Sequence, residues 1–372
     1  MIPYILVVTF PLFVGMLYKS KVKNTGLTRE DPKCQKLLRQ YILLAAIPMF
    51  FLVALRGYTI GNDTWTYVRV FRDMGKYSWQ DVWDGNISGG FARLETGFLL
   101  FAKLVRVFTD NGLVFQIVYT TIYLCAVTDF VKQLEEEHFF FLFLFGTLGS
   151  YTFMFTGVRQ CLAMSICLLS FRFIKKRKFI RFALLVFLAF SFHKSAVLFF
   201  ITYFIYPRKL SFLNVFSYIG ATIFAVLYLG ELQEWLNDQL DYNYGVEGEA
   251  GGIIFSVLML TITAFTIFML FSNRSLTGHS QGLVNVGIIA MACWILRIFT
   301  RVAERPSFFF LPFSFAALAY AVATMKDAKE KSIVKILVIV IPLALYVYKF
   351  ITTFTDFIPY TFYVEWNGII TK

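Results

Sequence analysis

Histidine is nearly missing from this chain, with three among 372 residues. Cysteine is also scarce: there are five, and none stands in a C-x-x-C or other metal-ligand spacing. Cys125, Cys161, Cys167 and Cys293 lie in apolar stretches and read as small buried hydrophobes, which leaves Cys34 outside that group. The phosphate-loop, H-E-x-x-H and G-x-S-x-G motifs are all absent, so the sequence offers no signature of a P-loop nucleotidase, a zinc protease or a serine hydrolase. No internal repeat, low-complexity tract or soluble domain interrupts it. Sustained apolar–polar alternation, which a transmembrane barrel requires, is missing too. Acidic residues are outnumbered 23 to 35, a formal charge of +12. That excess does not point to nucleic acid, because the lysines gather in short loops between apolar runs, as the positive-inside tendency produces.

What the chain does have is apolar mass. Hydrophobic residues make up 58% of it and 45 residues are Phe, whereas soluble domains run near ~45–50% apolar. Apolar runs recur from end to end, each near the ~17–25 residues of a bilayer-spanning helix. The pattern predicts an all-α, polytopic integral-membrane bundle of about twelve crossings, a single transmembrane domain over 1–372. Spans are expected near 3–18, 40–55, 112–131, 138–155, 160–174, 211–229, 253–271, 283–300, 307–325 and 333–351. The first of them lacks a charged leader and a small-residue cleavage site, so it reads as a retained helix.

The basic loop 19–39 belongs in the cytoplasm, which puts loops 56–93 and 230–252 outside. Residues 94–109 are too short to cross and read as re-entrant or interfacial. The stretch 179–206 has basic clusters on both flanks, "KKRK" and "PRK". Two half-helices meeting at His193 and Lys194 would keep both clusters inside, and protein or a polar cavity would have to cover the break.

Three polar intrusions interrupt the apolar pattern: "FTGVRQCLAM", "AFSFHKSAVL" and "WILRIFTRVAERP". An arginine within a membrane helix costs roughly ~3 kcal/mol on insertion scales and is usually paired or lines a polar cavity. Arg297, Arg301 and Arg305 recur every four residues, which on one continuous helix gives a shared face with Glu304 beside it. Either an anion relieves their repulsion or they serve as structural ion pairs. Guanidinium groups suit phosphate oxygens, so a diphosphate is the natural anion. Arg159, close after Gly157 and beside Gln160, is either a ligand contact or a snorkelling helix-end residue. An unperturbed histidine titrates near neutrality, so His193 stands as a candidate general base or a hydrogen-bonded filler. In the first external loop, Arg56, Asn62, Asp63, Trp65 and Tyr67 have the hydroxyl-binding and ring-covering chemistry that sugars need. Glu95 opens an apolar segment and reads equally as a helix N-terminal residue favoured by the dipole.

The stretches "RGYTIGNDTWTYVRVF", "GVRQCLAMSICLLSFRFIKKRKFIRFALLVFLAFSFHKSAVLFF" and "RIFTRVAERPSFFFLPF" together resemble the EpsG family, Wzy-like polymerases of bacterial surface polysaccharides. The resemblance is firmest at Gly157–Arg159–Gln160 and at Phe192–His193–Lys194–Ser195. It implies a glycosyltransferase of the bacterial cytoplasmic membrane, with its site facing outward. Such an enzyme joins repeat units carried on undecaprenyl diphosphate into capsular or exopolysaccharide. By that resemblance Arg159, Arg297, Arg301, Arg305 and Lys194 hold the departing diphosphate. His193, Asp63 or Glu304 activates the acceptor hydroxyl, and Arg56, Asp63, Tyr67 and Gln160 contact sugar. No metal or other cofactor is expected, since arginines can carry the charge work. The expected partners are the lipid-linked oligosaccharide, the bilayer, a chain-length regulator and a flippase. Two other readings stay open on the residues: a flippase or transporter of the lipid-linked unit, and a membrane acyltransferase acting on glycans.

Overall fold

A computed structural model describes all residues other than 89–93, 136, 229, 232–233, 235–251 and 364–372. The described residues form helices: α1 (Ile2–Thr25), α2 (Pro32–Ala54), α3 (Thr64–Asp73), α4 (Trp79–Asp84), α5 (Thr96–Phe108), α6 (Gly112–Lys132), α7 (His138–Thr147), α8 (Val158–Lys175), α9 (Phe179–Phe192), α10 (Ile201–Ile205), α11 (Phe212–Leu227), α12 (Ile253–Ser272), α13 (Gly278–Arg297), α14 (Glu304–Ala323) and α15 (Ala328–Thr352). Short 3-10 turns precede α8, α10 and α14. Their boundaries follow local chemistry. Asp31, Asn111 and Asp327 accept backbone N–H groups at the starts of α2, α6 and α15, and Thr277 and Ser280 form a reciprocal capping box on α13. Gly26, at φ 63°, closes α1 in the left-handed conformation that glycine adopts without strain.

By length and composition, seven helical segments among the described residues can cross a membrane: α1, α2, α6, α12, α13, α14 with the turn before it, and α15. The expected count of about twelve is therefore not reproduced. Four apolar helical segments are shorter (His138–Thr147, Phe179–Phe192, Lys194–Ile205 and Phe212–Leu227). The span expected over 138–155 stops at Thr147, where Gly149 takes φ +97° and a 3-10 turn over Thr152–Phe155 takes over. The loop 56–93, expected to lie outside, holds α3 and α4. Most of the loop 230–252 and residues 89–93 of the loop 56–93 lie outside the described residues.

The stretch 179–206 is broken where expected. His193 is extended (φ −159°, ψ 119°) between α9 and the 3-10 turn Lys194–Phe200. The two arms run back alongside each other: Arg177 Nη1 donates to Tyr203 O at 2.7 Å, and Phe179 packs on the Tyr203 ring at 5.1 Å. Both basic flanks consequently sit at one end of the bundle. The same end gathers Lys19 and Lys335, each 3.1 Å from Glu137, and Arg172, 2.7 Å from Asp129.

Opposite this basic end, the C-terminal segment straps the first loop. Gly57 N donates to Thr361 O and Tyr363 N to Leu55 O, both at 2.8 Å, while Tyr4 Oη reaches Phe357 O at 2.8 Å. A large aromatic core fills the space between α1, α2, α6, α7, α8 and α14. A second, smaller one joins α3, α4 and α5 to the first turns of α6 and α8. That second core fixes the helix starts on which the site is built.

Candidate active site

Glu95 is the residue on which the polar groups converge. It is the N-cap of α5, yet its carboxylate makes no cap hydrogen bond to its own helix. One carboxylate oxygen instead pairs with Arg159 Nη1. The other lies 3.1 Å from His193 Nδ1 and 3.4 Å from the backbone nitrogen of Lys194. A single side chain thus ties the start of α8 to the break after α9 and satisfies an N–H that the new 3-10 turn leaves open. The approach is close because residue 97 is glycine. A Cβ there would lie 2.3 Å from Ser191 Oγ and 2.6 Å from Ser191 O.

The second wall is built around Phe153. Gly157 lets that ring lie against the start of α8, where a Cβ would come within 2.2 Å of it. Phe308 stacks on Phe153 at 4.1 Å, and the Arg305 guanidinium lies 5.4 Å over the same ring. The Gln160 amide donates to the Arg305 carbonyl, which ties α8 to the first turn of α14. Tyr67 is buried and accepts from Arg159 Nε at 3.5 Å. Asp63 caps α3 without a side-chain cap bond and feels both Arg305 and Arg159.

The starts of α3, α5, α8 and α14 and of the turn at Lys194 therefore meet in one place. Their partial positive ends add to Arg159 and Arg305, so the region favours anions. Two carboxyls sit in this field with opposite outcomes, and both lie outside the spanning helices. For Glu95, burial raises the pKa, but the His193 hydrogen bond and the Arg159 charge outweigh it and hold the group at about 2. For Asp63, burial prevails over the lowering pull of Arg305 and Arg159, and the carboxyl is raised. Facing an ionised Glu95, His193 Nδ1 is the donor, which sets the tautomer with its lone pair on Nε2.

Three expectations need correction. Arg297, Arg301 and Arg305 do not share a helix face. α13 ends at Arg297, Thr300 is extended, and α14 starts only at Glu304. Pro306 favours this: it has no N–H to give Val302 in a helix continuous with α13, and it fits without loss in the first turn of α14. Arg297 instead pairs with Glu304 at 3.0 Å, so each of these two groups already has a partner. Arg301 is exposed on the connecting turn.

The third correction concerns Arg56, which has 0% exposure. It donates to Val53 O at 2.6 Å, Thr64 Oγ1 at 3.2 Å and Phe155 O at 3.5 Å. It offers no surface to a sugar. Arg159, His193, Lys194, Gln160, Arg305, Asp63 and Tyr67 are brought together around Glu95. A profile of the EpsG family matches residues 39–362. The chain belongs to the EpsG family. No curated protein and no solved structure matches it. The matched stretch of this EpsG chain takes in the whole cluster, together with α2 to α15 except for the first turns of α2.

Proposed function

We propose that this EpsG-family protein polymerises oligosaccharide repeat units carried on undecaprenyl diphosphate, by glycosyl transfer at the outer face of the bacterial cytoplasmic membrane. The observation that carries the reading is the Glu95–Arg159–His193 cluster, set among converging helix N-termini at the end opposite the basic loops. Positive-inside orientation puts those loops in the cytoplasm and the cluster outside.

In this mechanism the acceptor hydroxyl oxygen forms a bond to the anomeric carbon of the growing chain as the bond from that carbon to the diphosphate breaks. His193 Nε2 takes the hydroxyl proton, and Glu95 steadies the imidazolium that results. Arg159 and Arg305 face the charge that builds on the departing diphosphate, which lowers the barrier only insofar as they bind it more tightly in the transition state. Asp63 and Tyr67 orient the acceptor sugar. Direct displacement inverts the anomeric centre.

Reconstitution in vesicles with a purified lipid-linked repeat unit tests the reading. Longer glycans on the lipid are expected; relocation of the unit without growth identifies a flippase instead. His193→Ala should leave the protein inserted and slow growth by roughly 10²–10⁴-fold, the usual span for a lost general base. A Lys176→Cys variant should react with an impermeant thiol reagent from the cytoplasmic side, and labelling from the outer side would reverse the assigned orientation.

Gly97→Ala gives a separate check on the geometry. The added methyl has to push α5 away from Ser191, which draws Glu95 off His193. Chain growth should fall by at least tenfold, with affinity for the lipid-linked donor little changed, because Arg159 and Arg305, which meet its diphosphate, are on α8 and α14. Wild-type growth rates in this variant would show that the spacing of Glu95 and His193 is immaterial.

A further inference from the structure

We infer that the cleft between α11 and α13 receives the isoprenoid tail of the lipid carrier and thereby sets the position of its diphosphate; the inference rests on the polymerase reading. α11 is held unlike its neighbours, since none of its sixteen residues is buried. Val215 and Tyr218, in its first half, pack against the core. Beyond them α11 and α13, with Leu260 of α12, border a cleft of about 420 Å³, within the ~300–1,000 Å³ of small-ligand pockets. Two stripes at four-residue intervals form its walls, Ile219, Ile223 and Leu227 on one side and Met291, Ile295 and Phe299 on the other. Among the described lining residues, Thr222 alone has a hydroxyl. Its hydroxyl donates to Tyr218 O at 2.8 Å, so it offers no donor to the cleft. Such a wall has nothing for a sugar or a phosphate and suits a branched hydrocarbon.

Where the cleft ends favours one hydrocarbon over bilayer lipid in general. The Phe299 end of the cleft leads into the turn Arg301–Ala303, on which Arg301 is exposed, and Arg305 follows in the first turn of α14. A tail lying along α13 therefore leads its headgroup past Arg301 toward the helix start that carries Arg305. The carrier is the one substrate that needs an apolar run ending at guanidinium groups.

The experiment uses the full chain in vesicles of phosphatidylethanolamine and phosphatidylglycerol, with a polyprenyl diphosphate bearing a diazirine in its tail. Adducts are expected on α11, α13 and the Leu260 turn of α12, reduced at least fivefold by excess unlabelled polyprenyl diphosphate and unaffected by excess phospholipid. Adducts that polyprenyl diphosphate does not displace, or that map elsewhere, overturn the inference: the cleft then holds bilayer lipid only. Labelling requires no turnover, so specific adducts without chain growth would sink the polymerase reading and leave the cleft standing. As a second arm, Ile223→Trp should raise the KM for a long-tailed donor about tenfold and leave a donor of two isoprene units unaffected. Equal effects on both donors, or none on either, would count against the cleft.

Discussion

Glu95→Gln abolishes measurable chain growth while leaving the protein folded and in the membrane: this is the largest effect the site predicts. The substitution keeps the shape of the side chain but removes the charge that Arg159 pairs with, and it lets His193 turn to its other tautomer. An acid that fixes a histidine tautomer is worth about 10⁴-fold in a serine-protease triad, and a loss of roughly 10³–10⁴ is expected here. Glu95→Asp should recover part of the rate, since the charge returns at a shorter reach. The measurement is the initial rate of glycan extension in vesicles, alongside thermal unfolding in detergent. A Glu95→Gln protein that extends chains at the normal rate would remove Glu95 and His193 from the chemistry together.

The pH dependence supplies a sign check on the same group. Glu95 is held at about 2 in the folded protein, below the ~4.3 of an unperturbed glutamate. Its contribution to stability is therefore complete above the unfolded value and is lost as pH falls through about 2. An acid limb of activity between pH 5 and 7 cannot come from Glu95.

The second large effect is on stability. Arg56→Ala should cost about 3–5 kcal/mol, because three buried acceptors lose a charged donor and a cavity opens beneath Tyr119 and Phe155. Arg56→Lys should not rescue it, since one ammonium cannot reproduce the planar fork that reaches Val53, Thr64 and Phe155 at once. Unfolding midpoints in detergent report the loss. Normal stability with a raised KM for the sugar acceptor would return Arg56 to the substrate.

Local signals in the sequence carry much of the helix layout. Span limits depend on short-range hydropathy and caps, so 112–131 and 253–271 stand close to the observed α6 and α12. The break at His193 was legible because a single crossing would leave one of the two basic flanks outside. Arg159 and Gln160 were legible because they interrupt an apolar run.

What failed depends on long-range contact. Glu95 reads as a plain helix-start residue until Arg159 and His193, 64 and 98 positions further on, are seen to share its carboxylate. Arg56 looks like a polar loop residue because nothing local shows that Phe155 O and Gln116 close over it. The arginine ladder failed differently: the four-residue spacing was real, but Pro306 beside it already argued for a fresh helix start.

The doubled-back segment around His193 has a consequence for how the chain is threaded. Because α9 and α10 leave and return on the same side, the segment contributes an even number of passages, and everything after it keeps the handedness set by α8. Were 179–206 one straight rod, the parity would change and α14 would begin on the far side, taking Arg305 away from Arg159. A kink that looks like a local packing detail therefore decides whether the two halves of this protein can contribute to a single polar cluster.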